Sequence, residues 1–277
     1  MLVNITTELS RYGIDSVSAI PLSLCRINKP YKLEKVGFDA SLPLYAIIMA
    51  VPYFTGHSEK NISSYCIPRD YHLFFKELFD SVIPRLEEIF PNNKFTGFAD
   101  DSPIDERDAA AMSGLGIIGE NGMLITEKYS SYVFIGEIIT DLAVETECEY
   151  TVTHCEGCGR CKKACPMNEI GECLSALTQK KGDLSDTEKE HLIKYGSAWG
   201  CDICQEVCPH TEKAIKNKTI YTNIDFFKRD LTPIITREII DGMSDDEFAR
   251  RAYSWRKRST VKRNLEVLDS LNKTTKR

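Results

Sequence analysis

The sequence predicts a layered α/β (α+β) domain followed by a smaller ferredoxin-like domain. Two observations carry this reading. Through about residue 145, short β-branched or apolar runs alternate with helical patterns, as a parallel or mixed sheet covered by helices requires. From 148 to 215 the chain is dense in cysteine and poor in apolar periodicity, so its own hydrophobic core is small and metal has to help hold it together. The expected divisions are 1–147, 148–215, and a basic helical segment over 216–277 that packs on the core.

In chain order, strands are expected at 15–22, 45–51, 94–99, 123–126 and 132–139. A helix over 69–90 places Tyr71, Phe74, Leu78, Val82 and Leu86 at helical spacing. Ser102 and Pro103 read as the opening of a helix over 103–114, with Asp101 or Ser102 as its cap and Asp105, Glu106 and Arg107 on a solvated face. Ser244, followed by Asp245, Asp246 and Glu247, opens a later helix through a cap and first-turn acids.

The chain has 277 residues, a net charge of −6 and 42% hydrophobic content, which excludes a disordered or fibrous protein. A chain of this length buries roughly three quarters of its unfolded surface. The longest nearly apolar run, 42–54, is broken by proline and falls short of the roughly 20 residues a membrane-spanning helix needs. No basic start followed by an apolar stretch is visible, so a cytoplasmic location without membrane contact is expected. Charge is uneven: residues 250–277 hold ten Lys/Arg and two acids, +8, which leaves −14 on the first 249.

Nine of the 11 cysteines fall within the stretch from Cys148 to Cys208. Cys155-x2-Cys158-x2-Cys161-x3-Cys165-Pro166 is the bacterial ferredoxin spacing, in which three thiolates hold one iron–sulfur cube and the fourth crosses to the other. Cys201-x2-Cys204-x3-Cys208-Pro209 is a second group, and Cys173 supplies its missing ligand. The most economical pairing puts Cys155, Cys158, Cys161 and Cys208 on one [4Fe-4S] cluster, with Cys165, Cys173, Cys201 and Cys204 on the other. Cys-x2-Cys pairs also make zinc sites, but three successive x2 spacings with Cys-Pro closing both groups favour iron–sulfur. Cys148 is expected to be a spare buried thiol, and His154 and His210 to flank the clusters without ligating them. An electron wire needs only some sixty residues, and about 140 precede these cysteines, which implies a second function: something is reduced.

Four segments carry a family resemblance: Tyr65-Cys66-Ile67-Pro68-Arg69-Asp70-Tyr71-His72, Ala99-Asp100-Asp101-Ser102-Pro103-Ile104-Asp105-Glu106-Arg107, Ser113-Gly114-Leu115-Gly116-Ile117-Ile118-Gly119-Glu120-Asn121 and Val133-Phe134-Ile135-Gly136-Glu137-Ile138. With Cys173-Leu174-Ser175-Ala176-Leu177-Thr178 and the 200–209 group, they stand in the order found in epoxyqueuosine reductases, which the chain resembles over roughly 60–265, as a short form without a helical-repeat domain. The resemblance implies cobalamin in the α/β domain, two [4Fe-4S] clusters that reduce it, and reductive removal of an epoxide oxygen on a modified tRNA wobble base. It implies Asp100, the acid of Asp-x-x-Pro, as proton donor, and cofactor contacts from Cys66, Asp100, Asp101, Ser102, Gly119, Asn121, Ile125, Thr126 and Phe134. The sequence departs from the family at Glu120, where a basic residue is usual, and in its shortened interval between Cys165 and Cys173.

Read on their own, the glycines at 114, 116, 119 and 122 suit either close approach to a bulky ligand or simple turns. The tail residues Arg256, Lys257 and Arg258, with Tyr253 and Trp255 nearby, suit phosphate tracking on tRNA or a solvated face. A reduced ferredoxin or flavodoxin is the expected electron donor. A corrinoid reductase of a small molecule and a non-catalytic dicluster electron carrier are the alternatives.

Overall fold

The structure is a computed structural model that describes residues 1–39, 41–144, 149–168 and 171–274. The first elements are α1 (Leu2–Ser10), β1 (Ser16–Pro21), α2 (Tyr31–Lys35), β2 (Tyr45–Pro52), α3 (Tyr71–Ile89) and β3 (Phe95–Ala99). Then come α4 (Glu106–Met112), β4 (Ile117–Ile118), β5 (Leu124–Ile125) and β6 (Val133–Thr140). Short helices follow: α5 (Arg160–Ala164), α6 (Leu174–Thr178), α7 (Asp186–Tyr195), α8 (Ile203–Glu206) and α9 (Pro209–Lys216). The chain closes with α10 (Arg237–Gly242), α11 (Asp245–Ala249) and α12 (Arg258–Thr274). No helix among the described residues is long and apolar enough to cross a membrane.

Packing divides the chain into two compact units assembled from interleaved segments. The first is Met1–Tyr53, His72–Cys158 and His210–Ile224; the second is Phe54–Tyr71, Gly159–Pro209 and Asp225–Arg277. The consecutive division 1–147, 148–215, 216–277 is therefore cut differently by the contacts, because 54–71 folds with the cysteine-rich stretch.

In the first unit the sheet order is β1-β2-β6-β3, and every neighbouring pair is antiparallel. This corrects the parallel or mixed sheet expected from the alternation of strands and helices. β2 and β3 do point the same way, since each is antiparallel to β6, but β6 lies between them. A return strand inserted into a crossover leaves no parallel neighbours.

One face of the sheet takes α3, and glycines set how closely it packs. A Cβ on Gly136 of β6 would strike the Phe75 ring, and one on Gly97 of β3 would strike Phe79. The opposite face takes α4 through Ala109, Ala110 and Ala111, in a core with Ile20, Ala46, Ile48, Val133 and Ile139. This helix starts three residues later than expected. Pro103 O accepts N–H groups of Asn28 and Lys29 at 2.9 and 3.0 Å, which keeps the segment extended. Asp105, not Asp101 or Ser102, is the cap, accepting the Asp108 N–H at 3.3 Å.

In the second unit, Trp199 is fully buried with Ile62, Cys66, Ile67, Phe248 and Tyr253, and its Nε1–H donates to the Tyr65 hydroxyl at 3.0 Å. Ser244 forms the expected cap: its hydroxyl accepts the Glu247 N–H at 3.2 Å and the Glu247 carboxylate accepts the Ser244 N–H at 2.8 Å. Asn264 of α12 donates to Thr178 O at 2.7 Å and Ala198 O at 2.9 Å, which ties the basic helix to the body of the unit.

If the glycine notches set the fit of α3, Gly136→Ala should lower stability by about 1–3 kcal/mol through overpacking. Pairing it with Phe75→Leu should recover part of the loss in denaturant melts.

Candidate active site and cluster-binding loops

Asp100 follows β3 directly and adopts φ +63°, a left-handed conformation uncommon for a residue with a side chain. The Asp101 N–H closes a tight turn onto Ala99 O at 2.7 Å. The two neighbouring carboxylates then meet different surroundings. Asp101 takes Lys29 Nζ at 2.5 Å and also pairs with Lys32, and these two ammonium groups hold its carboxyl down to about 2. Such a group stays ionised and is unsuited to donate a proton. Asp100 has a side chain 63% exposed, with His72 Nε2 3.6 Å away. Ser102 is buried and its hydroxyl accepts the Ile104 N–H at 3.1 Å.

The hairpin of β4 and β5 brings Gly119, Asn121 and Ile125 together. A Cβ on Gly119 would fall on the Asn121 side-chain oxygen and Ile125 Cδ1, and one on Gly116 would strike the Ile125 carbonyl. At Gly116 and Gly119 the hairpin's own packing leaves no room for a side chain. Thr126 is committed to its own turn, its hydroxyl donating to Ser130 O and accepting the Tyr129 N–H, both at 3.1 Å. Phe134 is half-buried on β6, with its ring 4.4 Å from that of Tyr53. Cys66 is fully buried in the core of the second unit, where burial pushes its thiol well up. Of the residues implied as cofactor contacts, Gly119, Asn121 and Ile125 adjoin one another, whereas Asp101, Thr126 and Cys66 are engaged elsewhere.

All ten described cysteines are free thiols, and Cys148 lies outside the described residues. In the second unit, Cys173 precedes α6, Cys204 lies on α8, and Cys165 and Cys201 pack against one core of Met167, Leu174, Leu177, Leu184 and Leu192. Burial pushes the Cys201 thiol up to about 12, with the charges of Cys204, Asp202 and Cys173 adding to it. Thiols that crowd one another in this way release their protons to a metal. Cys173 and Cys204 thus stand near Cys201, and Cys165 shares its core, while no group of three or more metal-ligating side chains among the described residues is drawn together around one point. Between two of them, the buried Asp202 accepts the Ser64 N–H at 2.7 Å, Lys60 Nζ at 2.5 Å and the Ser63 hydroxyl. In the first unit, the chain at 153–155 runs beside β4, with Cys155 N–H on Ile118 O at 3.0 Å, and Cys155 Sγ accepts the Glu120 N–H at 3.3 Å. Backbone donors of this kind tune a cluster's potential. His210 Nε2 sits 3.3 Å from Glu156.

Comparison with known proteins agrees with this geometry. Residues 154–211 match the family described as 4Fe-4S double cluster binding domain. An epoxyqueuosine reductase of Gloeobacter violaceus is 32% identical over 232 residues, covering 78% of this chain and 70% of the relative. The chain belongs to the epoxyqueuosine reductase family. Another epoxyqueuosine reductase, of Lactococcus garvieae, is 29% identical over 71% of this chain and 57% of its own length, so this chain spans little more than half of that relative. A crystal structure of epoxyqueuosine reductase with an epoxyqueuosine-modified tRNA-Tyr stem loop shares the fold, with TM-score 0.74, 22% identity, and coverage of 97% of this chain and 80% of that one. A reductive dehalogenase described through B12-dependent dehalogenation shares it more loosely, with TM-score 0.50, 16% identity, and coverage of 94% and 37%.

For a member of the epoxyqueuosine reductase family, the basic tail divides its labour. Arg258 is structural: its guanidinium donates to Ile240 O and to Ser244 O at 3.2 Å, pairs with Asp245 and lies 4.4 Å over Phe248. Arg256 stacks 3.9 Å over the exposed Trp255, and Lys257 is exposed at φ +72°.

Sequence reasoning missed three side chains. Glu106, expected on a solvated face, is largely covered, and burial together with the Asp100 charge pushes its carboxyl up to about 7. Asp105, expected beside it, caps α4 and pairs with Arg26. Glu137, quoted only as part of a motif, is fully buried on β6. Its signal was available, since a glutamate in the inward phase of Val-Phe-Ile-Gly-Glu-Ile-Ile-Thr breaks an otherwise apolar face.

Anaerobically reconstituted protein should carry about eight irons, falling to about four in Cys173→Ala, because a cube needs four thiolates. Asp202→Ala removes the buried partner of Lys60, which keeps Glu206 at 2.9 Å and the Ser64 hydroxyl at 2.8 Å, and leaves the Ser64 N–H unmatched, so it should cost about 1–3 kcal/mol, read as an earlier thermal unfolding.

Proposed function

We propose that this chain reduces epoxyqueuosine to queuosine at the wobble position of tRNA, as an oxidoreductase of queuosine biosynthesis. The observation that carries the reading is the contrast between Asp100 and Asp101: at the end of β3 one carboxylate is neutralised by two lysines and the other is left accessible beside His72. Removing an epoxide oxygen needs a proton donor at that oxygen and two electrons from the other side, and a positioned carboxyl can be that donor. Family membership and the double-cluster domain support the electron side. Cobalamin, when bound, supplies a strongly reducing metal centre that receives the cluster electrons. The hairpin group Gly119, Asn121 and Ile125, with Phe134 and the Asp100 turn, would hold it in the first unit. Asn121 is half-buried, with its side-chain oxygen turned inward to accept the Met123 N–H at 3.2 Å, so the hairpin offers a fixed rather than an adaptable wall.

The rest of the reading concerns partners. Arg256, Lys257 and Trp255 would meet the RNA, the cations at phosphates and the indole as a stacking surface. A reduced ferredoxin or flavodoxin of the cytoplasm would recharge the clusters.

Single turnover of an anticodon stem loop carrying epoxyqueuosine tests the reading. Asp100→Asn should slow reduction by about two to four orders of magnitude, with cluster content unchanged, while Asp101→Asn should lose far less. Replacing Arg256 and Lys257 with Ala should weaken stem-loop binding and flatten its salt dependence. An intact holoprotein that leaves the stem loop unreacted refutes the assignment, and turnover of a halogenated or epoxide small molecule would replace it.

A further inference from the structure

Glu137 stands opposite Ile48 of β2 and Phe98 of β3, in the middle of the sheet. It is fully buried, with the Ser102 hydroxyl as the polar side chain beside its carboxyl. A carboxylate in that position would lose its hydration and gain at most one hydroxyl in return, so the group keeps its proton. Its side of the sheet is the one covered by α4, which Glu106 opens. One Glu106 oxygen is buried without a partner, while the Asp100 backbone N–H donates to the same carboxylate.

The charged surroundings of the pair are few. Glu106 faces Asp100, Asp105, Arg107 and Glu137, and Asp105 is already neutralised by Arg26. Glu137 faces Glu106, the Ser102 hydroxyl and the Cys25 thiol, which burial and the Glu137 charge push up to about 12. Two carboxyls therefore stand in a row behind the accessible one, with burial increasing from Asp100 to Glu106 to Glu137. Negative charge on each raises the hold of the next on its proton.

We propose that Glu106 and Glu137 form a buried proton store behind Asp100, which restores the proton that Asp100 gives to the substrate. The inference rests on the reductive reading above. Turning an epoxide into an alkene and water breaks two C–O bonds and consumes two electrons and two protons; the electrons come from the reduced clusters and cobalamin, and Asp100 carries one proton at a time. A second must reach the same oxygen while the RNA covers the exposed side. Glu106, linked to Asp100 through its backbone and half protonated near neutrality, is placed to pass it on, and Glu137 holds one in reserve.

Infrared titration of the full-length protein tests the store without turnover. At mildly alkaline pH the wild type should retain a protonated carboxylic acid whose carbonyl stretch shifts in heavy water, and Glu137→Gln should lose that band. The Glu106 band should titrate near neutral pH in wild type and at lower pH in Asp100→Asn, where the neighbouring charge is gone. In single turnover with reduced holoprotein, the wild-type rate should fall as pH rises through neutrality, and Glu106→Gln should shift that fall by the equivalent of tenfold or more in proton concentration, with cluster content intact. Absence of the alkaline carboxylic-acid band in wild type overturns the store, and so does a Glu106 titration that Asp100→Asn leaves in place, or a Glu106→Gln profile that overlays wild type. If Glu137→Gln fails to fold, the wild-type band and the Asp100→Asn titration still decide. A wild type that never reduces the stem loop defeats the substrate reading instead, and the infrared results then stand or fall on their own.

Discussion

The first unit depends on β6 being inserted between β2 and β3. That single topological fact makes the sheet antiparallel and sets the register in which Ala99 faces Gly136. Asp100, one residue further, therefore leaves the sheet at the level where Phe134 and Ile135 stand on the central strand. The same register turns Glu137 towards the face that α4 covers, while Gly136 accepts Phe75 of α3 on the other. Alternation of side chains along a strand links these outcomes, since a slip of one residue would put Glu137 under α3 and Gly136 under α4.

The cysteine-rich stretch obeys a different constraint. The helices that carry or follow its cysteines are short, five residues in α5 and α6 and four in α8, and offer little apolar surface to bury. What orders them is the demand of each cluster for thiolates at fixed positions, reinforced by Asp202, which binds Lys60, Ser63 and Ser64 from a distant part of the sequence. The recruitment of 54–71 into this unit follows directly: Ser63 N–H donates to Trp199 O at 2.7 Å and Ala198 N–H to Asn61 O at 2.7 Å. A buried carboxylate with that many partners is costly to leave unmatched, and it specifies which segment packs there.

The double-cluster stretch and the cap at Ser244 were legible in the sequence because each is a local pattern of residue type and spacing. The interleaving of units was not, because it depends on pairings between residues more than a hundred positions apart, such as Ser64 with Asp202. The solvated reading of Glu106 failed for a related reason. A glutamate near a helix start is ordinarily exposed, and only the Asp105 cap, set by Pro103 accepting from Asn28 and Lys29, turns Glu106 inward. Arg258 looked like one more cation in a basic run until the carbonyls of Ile240 and Ser244 claimed its guanidinium.

Adjacent aspartates of the same chemistry end up in opposite surroundings because the backbone between them turns. A left-handed conformation at a residue other than glycine costs roughly 1–2 kcal/mol, and at Asp100 it is offset by contacts on either side. Lys29 and Lys32 pull Asp101 outward, and the Glu106 carboxylate accepts the Asp100 N–H from within. Strain at this position thus separates an aspartate held in its ionised form by two lysines from one whose backbone N–H meets the buried Glu106 carboxylate.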